Sequence, residues 1–378
     1  MQKASFALFL GLSLGVAVPG PTSRFAEGAP PAPQARNWTH VSGDYYVEAR
    51  FITEKYGKIW LLRAGGGVFG VEPGELSVTD RQYVAGVMKE RRTRKTPVTK
   101  NSPDRVPYGV GSEVDFLENT KIRESSGLAR SRREAGFFWT HNDSGGDARV
   151  FLIDEKGRDR GSFLLKDTLA YDFEDIFSFS EEGKHYLVLC DVGNNGRAAP
   201  IQMLHLVEEP EFDSRIGLEA EQELAARTIY YSYEDDHRDC EAVGYDPHSK
   251  TILFVTKERE ADCHVYALPM PEPNPRKAFS ARKIATLKLP EVTGMDVSSD
   301  GRRVILSTYG HAYEFQRIAE QNWADAFAGE PREVVLPERV QGESICYSTD
   351  DKTLYLTSEK LPTPLIVIPV QTQPAAAQ

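Results

Sequence analysis

No apolar run in this chain is long enough to span a bilayer as an ordinary helix, which takes about 20 residues. The longest marked stretch, residues 6–18, follows Lys3 and is broken by Pro19-Gly20-Pro21. That shape fits the apolar core of a secretory signal peptide. We therefore expect a signal over residues 1–20, a periplasmic or extracellular location, and no membrane span after signal removal. Basic residues are in deficit: 45 Lys and Arg against 56 Asp and Glu, a net charge of -11. A nucleic-acid binder needs a basic face to displace counterions, so that class is set aside. Cysteine is scarce, and Cys190, Cys240, Cys263 and Cys346 form no Cys-x-x-Cys pair or Cys/His cluster of the kind that holds zinc. Export permits disulfides and four thiols allow three complete pairings, with buried free thiols an equal reading. The Gly-x-Ser-x-Gly match at Gly11-Leu12-Ser13-Leu14-Gly15 lies inside the apolar run of the expected signal, so no elbow supplies a hydrolase serine.

What the 378 residues do contain is a long series of short β-rich runs separated by turn residues. Residues 21–35 are rich in Pro, Ala and Gly and are expected to be a flexible tether. Texture changes at Arg36. Trp38-Thr39, Tyr45-Tyr46-Val47-Glu48-Ala49-Arg50-Phe51, Lys58-Ile59-Trp60-Leu61-Leu62 and Val68-Phe69-Gly70-Val71 are expected strands. A helical run follows, capped by Ser77 or Thr79. Trp38, Tyr45, Tyr46 and Trp60 are expected in the core of this unit. Residues 93–111 are a basic, Pro-punctuated linker, and residues 371–378 a disordered tail.

Arg36-x-Trp38-Thr39, the Tyr-x-Val-Glu-Ala-x-Phe run and Leu76-Ser77-x-x-Asp80-x-x-Tyr83-Val84 together resemble the SLA-homology domain first described in a yeast endocytic adaptor. The resemblance covers roughly residues 36–90, within a domain expected over residues 36–92. It implies a small β-barrel with a C-terminal helix that binds proteins or peptides; adaptor members of the family recognise NPFxD-type peptides.

From residue 112 to 370 one pattern recurs. Arg123-Glu124-Ser125-Ser126-Gly127-Leu128 is followed by variants at Asp172-Phe173-Glu174-Asp175-Ile176, Asp239-Cys240-Glu241-Ala242-Val243, Thr293-Gly294-Met295-Asp296-Val297 and Gln341-Gly342-Glu343-Ser344-Ile345. After each acid, two β-rich runs flank a polar turn. Repeats of roughly 40–50 residues with several strands each point to a propeller. The fold class is therefore all-β: a small β-barrel followed by a five-bladed β-propeller. Six blades are the alternative if residues 218–226 conceal another unit. The last unit lacks a fourth strand, which the run Val114-Asp115-Phe116-Leu117 would supply, closing the ring and hiding both edges.

Glu-Ser-Ser-Gly-Leu, Trp-Thr-His-Asn-Asp-Ser-Gly, Asp-Phe-Glu-Asp-Ile and Asp-Val-Gly-Asn-Asn resemble a group of exported bacterial propellers described as phytase-like, or as having an esterase-like activity of phytase. The five-bladed calcium-activated nucleotidases share the general pattern. These resemblances imply a calcium-dependent phosphoesterase of phytase or nucleotidase type, with a phosphate ester as substrate.

First strands of propeller blades line the axial channel, so Glu124, Glu174, Glu241, Asp296 and Glu343 are expected to converge there. Crowded carboxylates repel one another, and a hard cation relieves this. Ca²⁺, taking six to eight oxygens, is the expected cofactor, with Ser125, Ser344 or water completing its shell. The alternative is that the acids accept backbone N–H groups of neighbouring blades and set their angles. Asn142, Asp143, Arg149, Asp191, Asn194, Asn195, Lys257, Tyr309 and Glu359 lie near the ends of the second strands and are expected at a ligand-binding rim. Arg149, Arg197 and Lys257 are the cations nearest to hand for a phosphate clamp, which is thin for a polyphosphate enzyme. No catalytic residue is assigned. The favoured reading is an exported two-module binding protein, a protein-recognition barrel joined to a calcium-stabilised propeller that binds a small molecule. The phosphoesterase is its alternative.

Overall fold

The computed structural model describes residues 35–44, 46–55, 58–63, 68–93, 106–143, 146–258, 262–289, 291–318 and 321–371. The proposed signal, almost all of the tether and the tail lie outside these residues, as do Tyr45 and the Trp60 side chain. No described helix is long and apolar enough to cross a membrane.

The first unit is an antiparallel meander of β1 (Arg36–Thr39), β2 (Tyr46–Lys55), β3 (Lys58–Arg63) and β4 (Val68–Val71). Helix α1 (Val78–Thr93) packs against it. Trp38, Ala49, Phe51, Ile59, Leu61, Leu76 and Val84 form its core. Tyr46, expected in that core, is 70% exposed, because the alternation along β2 turns Val47 and Ala49 inward instead. The motif residues Arg36, Thr39, Ser77 and Asp80 meet at the start of α1. Asp80 Oδ1 accepts from Arg36 Nη2 at 2.8 Å, and Oδ2 accepts from Thr39 N at 2.8 Å and Ser77 Oγ at 2.7 Å. Ser77 Oγ in turn accepts from Asp80 N, so Ser77 is the cap. The Arg36 guanidinium also lies over the Tyr83 ring, 4.1 Å from its centroid.

The remaining strands form five four-stranded meanders, the first of which gains a fifth, parallel strand. After β5 (Ser112–Phe116), blade one comprises β6 (Ser125–Arg130), β7 (Phe137–Asn142), β8 (Asp147–Asp154) and β9 (Asp159–Leu169). Blade two comprises β10 (Phe173–Glu181), β11 (Lys184–Asp191) and β12 (Gln202–Glu208). The chain then adds β13 (Gln222–Ala225) before blade two ends with β14 (Arg227–Tyr233). Blade three is β15 (Cys240–Asp246), β16 (Thr251–Thr256), β17 (Cys263–Pro269) and β18 (Ala278–Leu287). Blade four is β19 (Val292–Val297), β20 (Arg303–Thr308), β21 (Ala312–Gln316) and, after helix α2 (Trp323–Phe327), β22 (Arg332–Val334). Blade five is β23 (Cys346–Tyr347), β24 (Leu354–Leu356) and β25 (Pro364–Ile368), completed by β5, which pairs antiparallel with β25.

First strands β6, β10, β15, β19 and β23 pack side by side in that order, and β23 returns to β6, so the ring is closed. The 218–226 segment hides no sixth blade: β13 runs parallel to β9 as a fifth strand of blade one. Blades two and three are also joined at their outer edges, where β14 pairs parallel with β18 over Tyr230–Tyr233.

Each seam between blades has its own apolar cluster, because the strands are buried on both faces. Along β11, Leu187 and Leu189 face blade one while Val188 and Cys190 face blade three. Trp139 and Phe163 anchor the first seam, and Tyr231, Phe254 and Tyr266 the second. Trp323 and Phe327 of α2 join Met295 and Leu306 in the third. Tyr347 and Leu354 fill the fourth, and Phe138, Leu128 and Cys346 the fifth. All four cysteines are buried free thiols within these seams.

Ring closure is reinforced by Tyr108, whose hydroxyl donates to Glu314 Oε1 at 2.7 Å in blade four; Tyr347 donates to the same oxygen at 2.9 Å. Tyr108→Phe should lower stability by about 1–2 kcal/mol, the usual cost of withdrawing one bond from a buried carboxylate. A lower urea midpoint with unchanged slope would register it.

Candidate acidic site at one mouth of the ring

Four of the blades share a backbone register where their second strands end. Asp143 N donates to Glu124 O, Gly193 N to Asp172 O, Lys257 N to Asp239 O and Glu359 N to Gln341 O. Two residues beyond these acceptors stand Ser126, Glu174, Glu241 and Glu343. At that rank the ladder slips in blades one to four, and Glu174, Glu241 and Thr293 each fall between paired residues. Such a bulge re-aims one side chain without breaking the strand. The ring position is therefore occupied by Ser126, Glu174, Glu241, Thr293 and Glu343.

Three of the five acids expected there share this rank, and the other two are displaced. Glu124 lies two residues earlier, level with Asp172, with its side chain 45% exposed and 3.7 Å from Lys360 Nζ. Asp296 lies deeper in the ring. Its Oδ1 accepts from Val297 N at 2.7 Å and its Oδ2 from Tyr347 N of blade five at 2.8 Å. Asp175 does the same for blade three, accepting from Val243 N at 2.9 Å. These two acids brace neighbouring blades through backbone N–H groups. Ser125 and Ser344 are occupied too, both hydrogen-bonded to Thr357 Oγ1 at 2.6 Å.

Around Glu174 the geometry tightens. Carboxylate oxygens of Asp143, Asp172 and Glu174 all lie within 4.8 Å of one another. Gly193 abuts this cluster: a Cβ there would sit 2.3 Å from Asp172 Oδ2 and 2.4 Å from Glu174 Oε1. Burial, then Asp143, Asp239 and Asp191, push the Asp172 carboxyl up to about 6. Burial, with Glu241, Asp143, Asp172 and Glu343 adding repulsion, holds Glu174 well above the usual carboxylate range. Beside them, Lys257 Nζ lies 2.5 Å from the Glu241 carboxylate and donates to Tyr309 Oη at 2.8 Å. Tyr309 donates to Glu343 Oε1 at 2.9 Å, and among the described residues the buried Glu343 Oε2 has no well-formed hydrogen bond. Glu359 is pushed up to about 7, chiefly by burial and then by Glu343, and is paired with Lys360 Nζ at 3.0 Å.

Of the nine expected rim residues, Asp143, Lys257, Tyr309 and Glu359 are brought together here. The others have different placements. Asn142 Oδ1 accepts from Arg123 N and Glu124 N, which fixes the end of β7. Asp191 accepts from Asp172 N at 2.8 Å and from Tyr171 N. Asn194 Oδ1 accepts from Ala198 N and Ala199 N within its own turn, and Asn195 is exposed. Arg149 is paired with Glu221 and bonded to Ser162, on the outer part of blade one. Asp172 and Gly193 were not anticipated. The signal for Asp172 is the acid-x-acid spacing, which Asp172-x-Glu174 and Asp239-x-Glu241 share.

As a cation site, the triad offers hard carboxylate oxygens without nitrogen or sulfur, the donor set preferred by Ca²⁺, Mg²⁺ or Mn²⁺ over zinc. Raised carboxyl groups beside an unmatched buried oxygen fit a position that gains from a positive charge.

No curated protein matches the chain. Residues 26–92 match the family model of SLA1 homology domain 1, so the first unit is similar to that family.

Proposed function

We propose that this chain is an exported two-module binding protein: its first domain engages a protein or peptide, and its propeller holds Ca²⁺ beside a ligand-binding mouth. The SLA1-homology match supports the first half. The observation that carries the second is the convergence of Asp143, Asp172 and Glu174 against Gly193. In this reading those three residues hold the ion, and Glu343 and Glu241 add negative potential behind them. The ion neutralises mutual repulsion and fixes the blade-one, blade-two seam.

A phosphoesterase has less support. Arg149, Arg197 and Lys257 are already paired with Glu221, Glu258 and Glu241, and a phosphate clamp needs guanidinium or ammonium groups free to donate.

Calorimetric titration of the full chain with Ca²⁺ tests the metal half, and melting curves in Ca²⁺ or EGTA across pH test its cause. Asp172 has a folded pKa raised above its unfolded value near 4. Without metal, its contribution to stability is therefore intact below about 4 and lost as pH rises through about 6. Calcium needs the ionised form, so the stabilisation it confers should be small at pH 5 and grow to a plateau above 7. No heat of binding, together with identical melting in EGTA, would end the calcium reading. Titration with an NPFxD-type peptide tests the other half.

A further inference from the structure

The ring has a second mouth, at the hairpin ends of the first strands, and it is built from different chemistry. A cavity of about 300 Å³ opens there, lined by Arg130, Ser131, Arg132 and Arg133 of blade one, with Ser180, Ser299 and Thr349 from blades two, four and five. Arg130 is buried: its Nη2 donates to Val297 O at 2.9 Å, its Nη1 to Ser348 O at 2.9 Å and to Asp351, and its Nε has no hydrogen-bond partner among the described residues.

Neighbouring carboxylates are already committed. Asp351 pairs with Arg130 and accepts from Ser299 N, and Asp296, which braces blade five, also faces Arg130. Glu209 is saturated by Ser131 Oγ, Trp139 Nε1 and Arg132 N, which shapes the turn carrying the arginines. Arg133 donates to Glu209 O and pairs loosely with Glu211 at 3.5 Å. Glu134 is exposed.

Among the described residues the Arg132 side chain alone of the three makes no direct contact with a carboxylate. Its Nε and Nη2 donate to Ser178 O at 3.1 and 2.6 Å, and its Nη1 makes no hydrogen bond among the described residues. Burial and the like charge of Arg130 lower it to about 10, against the opposing pull of Asp296 and Asp351.

We propose that this cavity binds the carboxylate of a small organic acid, held by Arg132 Nη1 with the buried Arg130 beside it. One guanidinium edge without a hydrogen bond matches one carboxylate, and the carboxylates already around the arginines disfavour a dianion. The volume lies at the lower end of small-ligand pockets, enough for a compact acid. This site is independent of the acidic mouth, so it stands or falls without calcium.

The test uses the full chain in EGTA, with benzoate as probe, benzamide as its uncharged isostere, and inorganic phosphate as the dianionic competitor. Binding is read by saturation-transfer NMR and by thermal shift. Benzoate should bind with a dissociation constant in the millimolar range or below, and benzamide and phosphate at least about tenfold more weakly, the value of one charge-assisted hydrogen bond. Arg132→Gln should weaken benzoate by a similar factor. Because Arg132 also anchors to Ser178, the exposed Thr349→Glu provides a second variant, which places a like charge at the opening and should weaken benzoate without loss of melting temperature. Equal binding of benzamide, tighter binding of phosphate, no binding of benzoate, or wild-type binding by both variants would overturn the proposal.

Discussion

Glu174→Gln should stabilise the calcium-free protein and at the same time abolish most of its response to calcium. Glu174 is buried, and its ionised form is opposed by burial itself and by Glu241, Asp143, Asp172 and Glu343. An amide of the same shape keeps the packing and removes one charge from that crowd. In EGTA at neutral pH the gain should be about 1–2 kcal/mol, or a few degrees in melting temperature for a propeller of this size. In calcium the order reverses. Loss of one of three anionic oxygen donors should weaken binding on the order of 100-fold. The mutant curve with calcium should then nearly coincide with the mutant curve without it. An opposite sign in EGTA, with the mutant less stable, would show that Glu174 is paired in a way that the raised carboxyl contradicts. Gly193→Ala supplies an orthogonal check, because its Cβ would push directly on Asp172 and Glu174 while leaving the charge count unchanged. It should lower calcium affinity without the gain in EGTA.

Asp80→Ala should unfold most of the first domain. One carboxylate there accepts from Arg36, from the backbone of Thr39 in β1 and from the Ser77 hydroxyl at the start of α1. It joins the strand, the helix cap and a guanidinium that also covers Tyr83. Truncation leaves all three donors without their acceptor, a loss of about 3 kcal/mol. A small domain with one modest core has little more than that to lose. Hydrogen exchange on the full chain separates this from a global effect. Amides of β1, β2 and β3 should exchange on the order of 100-fold faster, while those of β10 and β11 keep their protection. Unchanged protection in β1 to β3 would mean that the contacts of the buried Asp80 contribute little to the domain's stability.

Much of the architecture was legible beforehand because its determinants are local. Alternating apolar residues and turns such as Ser299-Asp300-Gly301 define each hairpin within a few residues of chain. The missing fourth strand of the last unit, with a spare strand at residues 114–117, was enough to anticipate closure by β5. The acidic site was harder to read. Aligning Glu124 with Glu174 is natural when each is an acid near the head of a first strand, yet the structure sets Glu124 level with Asp172. One extra residue at a bulge shifts the register, and nothing local in Arg-Glu-Ser-Ser-Gly-Leu marks where that residue lies. Asp296 was misplaced in the same way, because Thr293 holds the bulged position in blade four. Asn142, Asp191 and Asn194 resembled rim ligands because turn-forming side chains and ligand-binding ones are the same residue types.

The sequence by itself determined that the chain is almost entirely β, that five units follow a small capped domain, and which residues cap and turn. These properties depend on contacts between residues close in the chain. Tertiary structure decided which carboxylates meet, that Asp175 and Asp296 serve as braces, that β13 belongs to blade one, and that an arginine-lined cavity faces away from the acids. Those outcomes depend on how separate blades are rotated and slid against one another. That in turn is set by the seams of Trp139, Tyr231, Met295, Tyr347 and Phe138, whose partners lie in other blades and leave no mark on any single repeat.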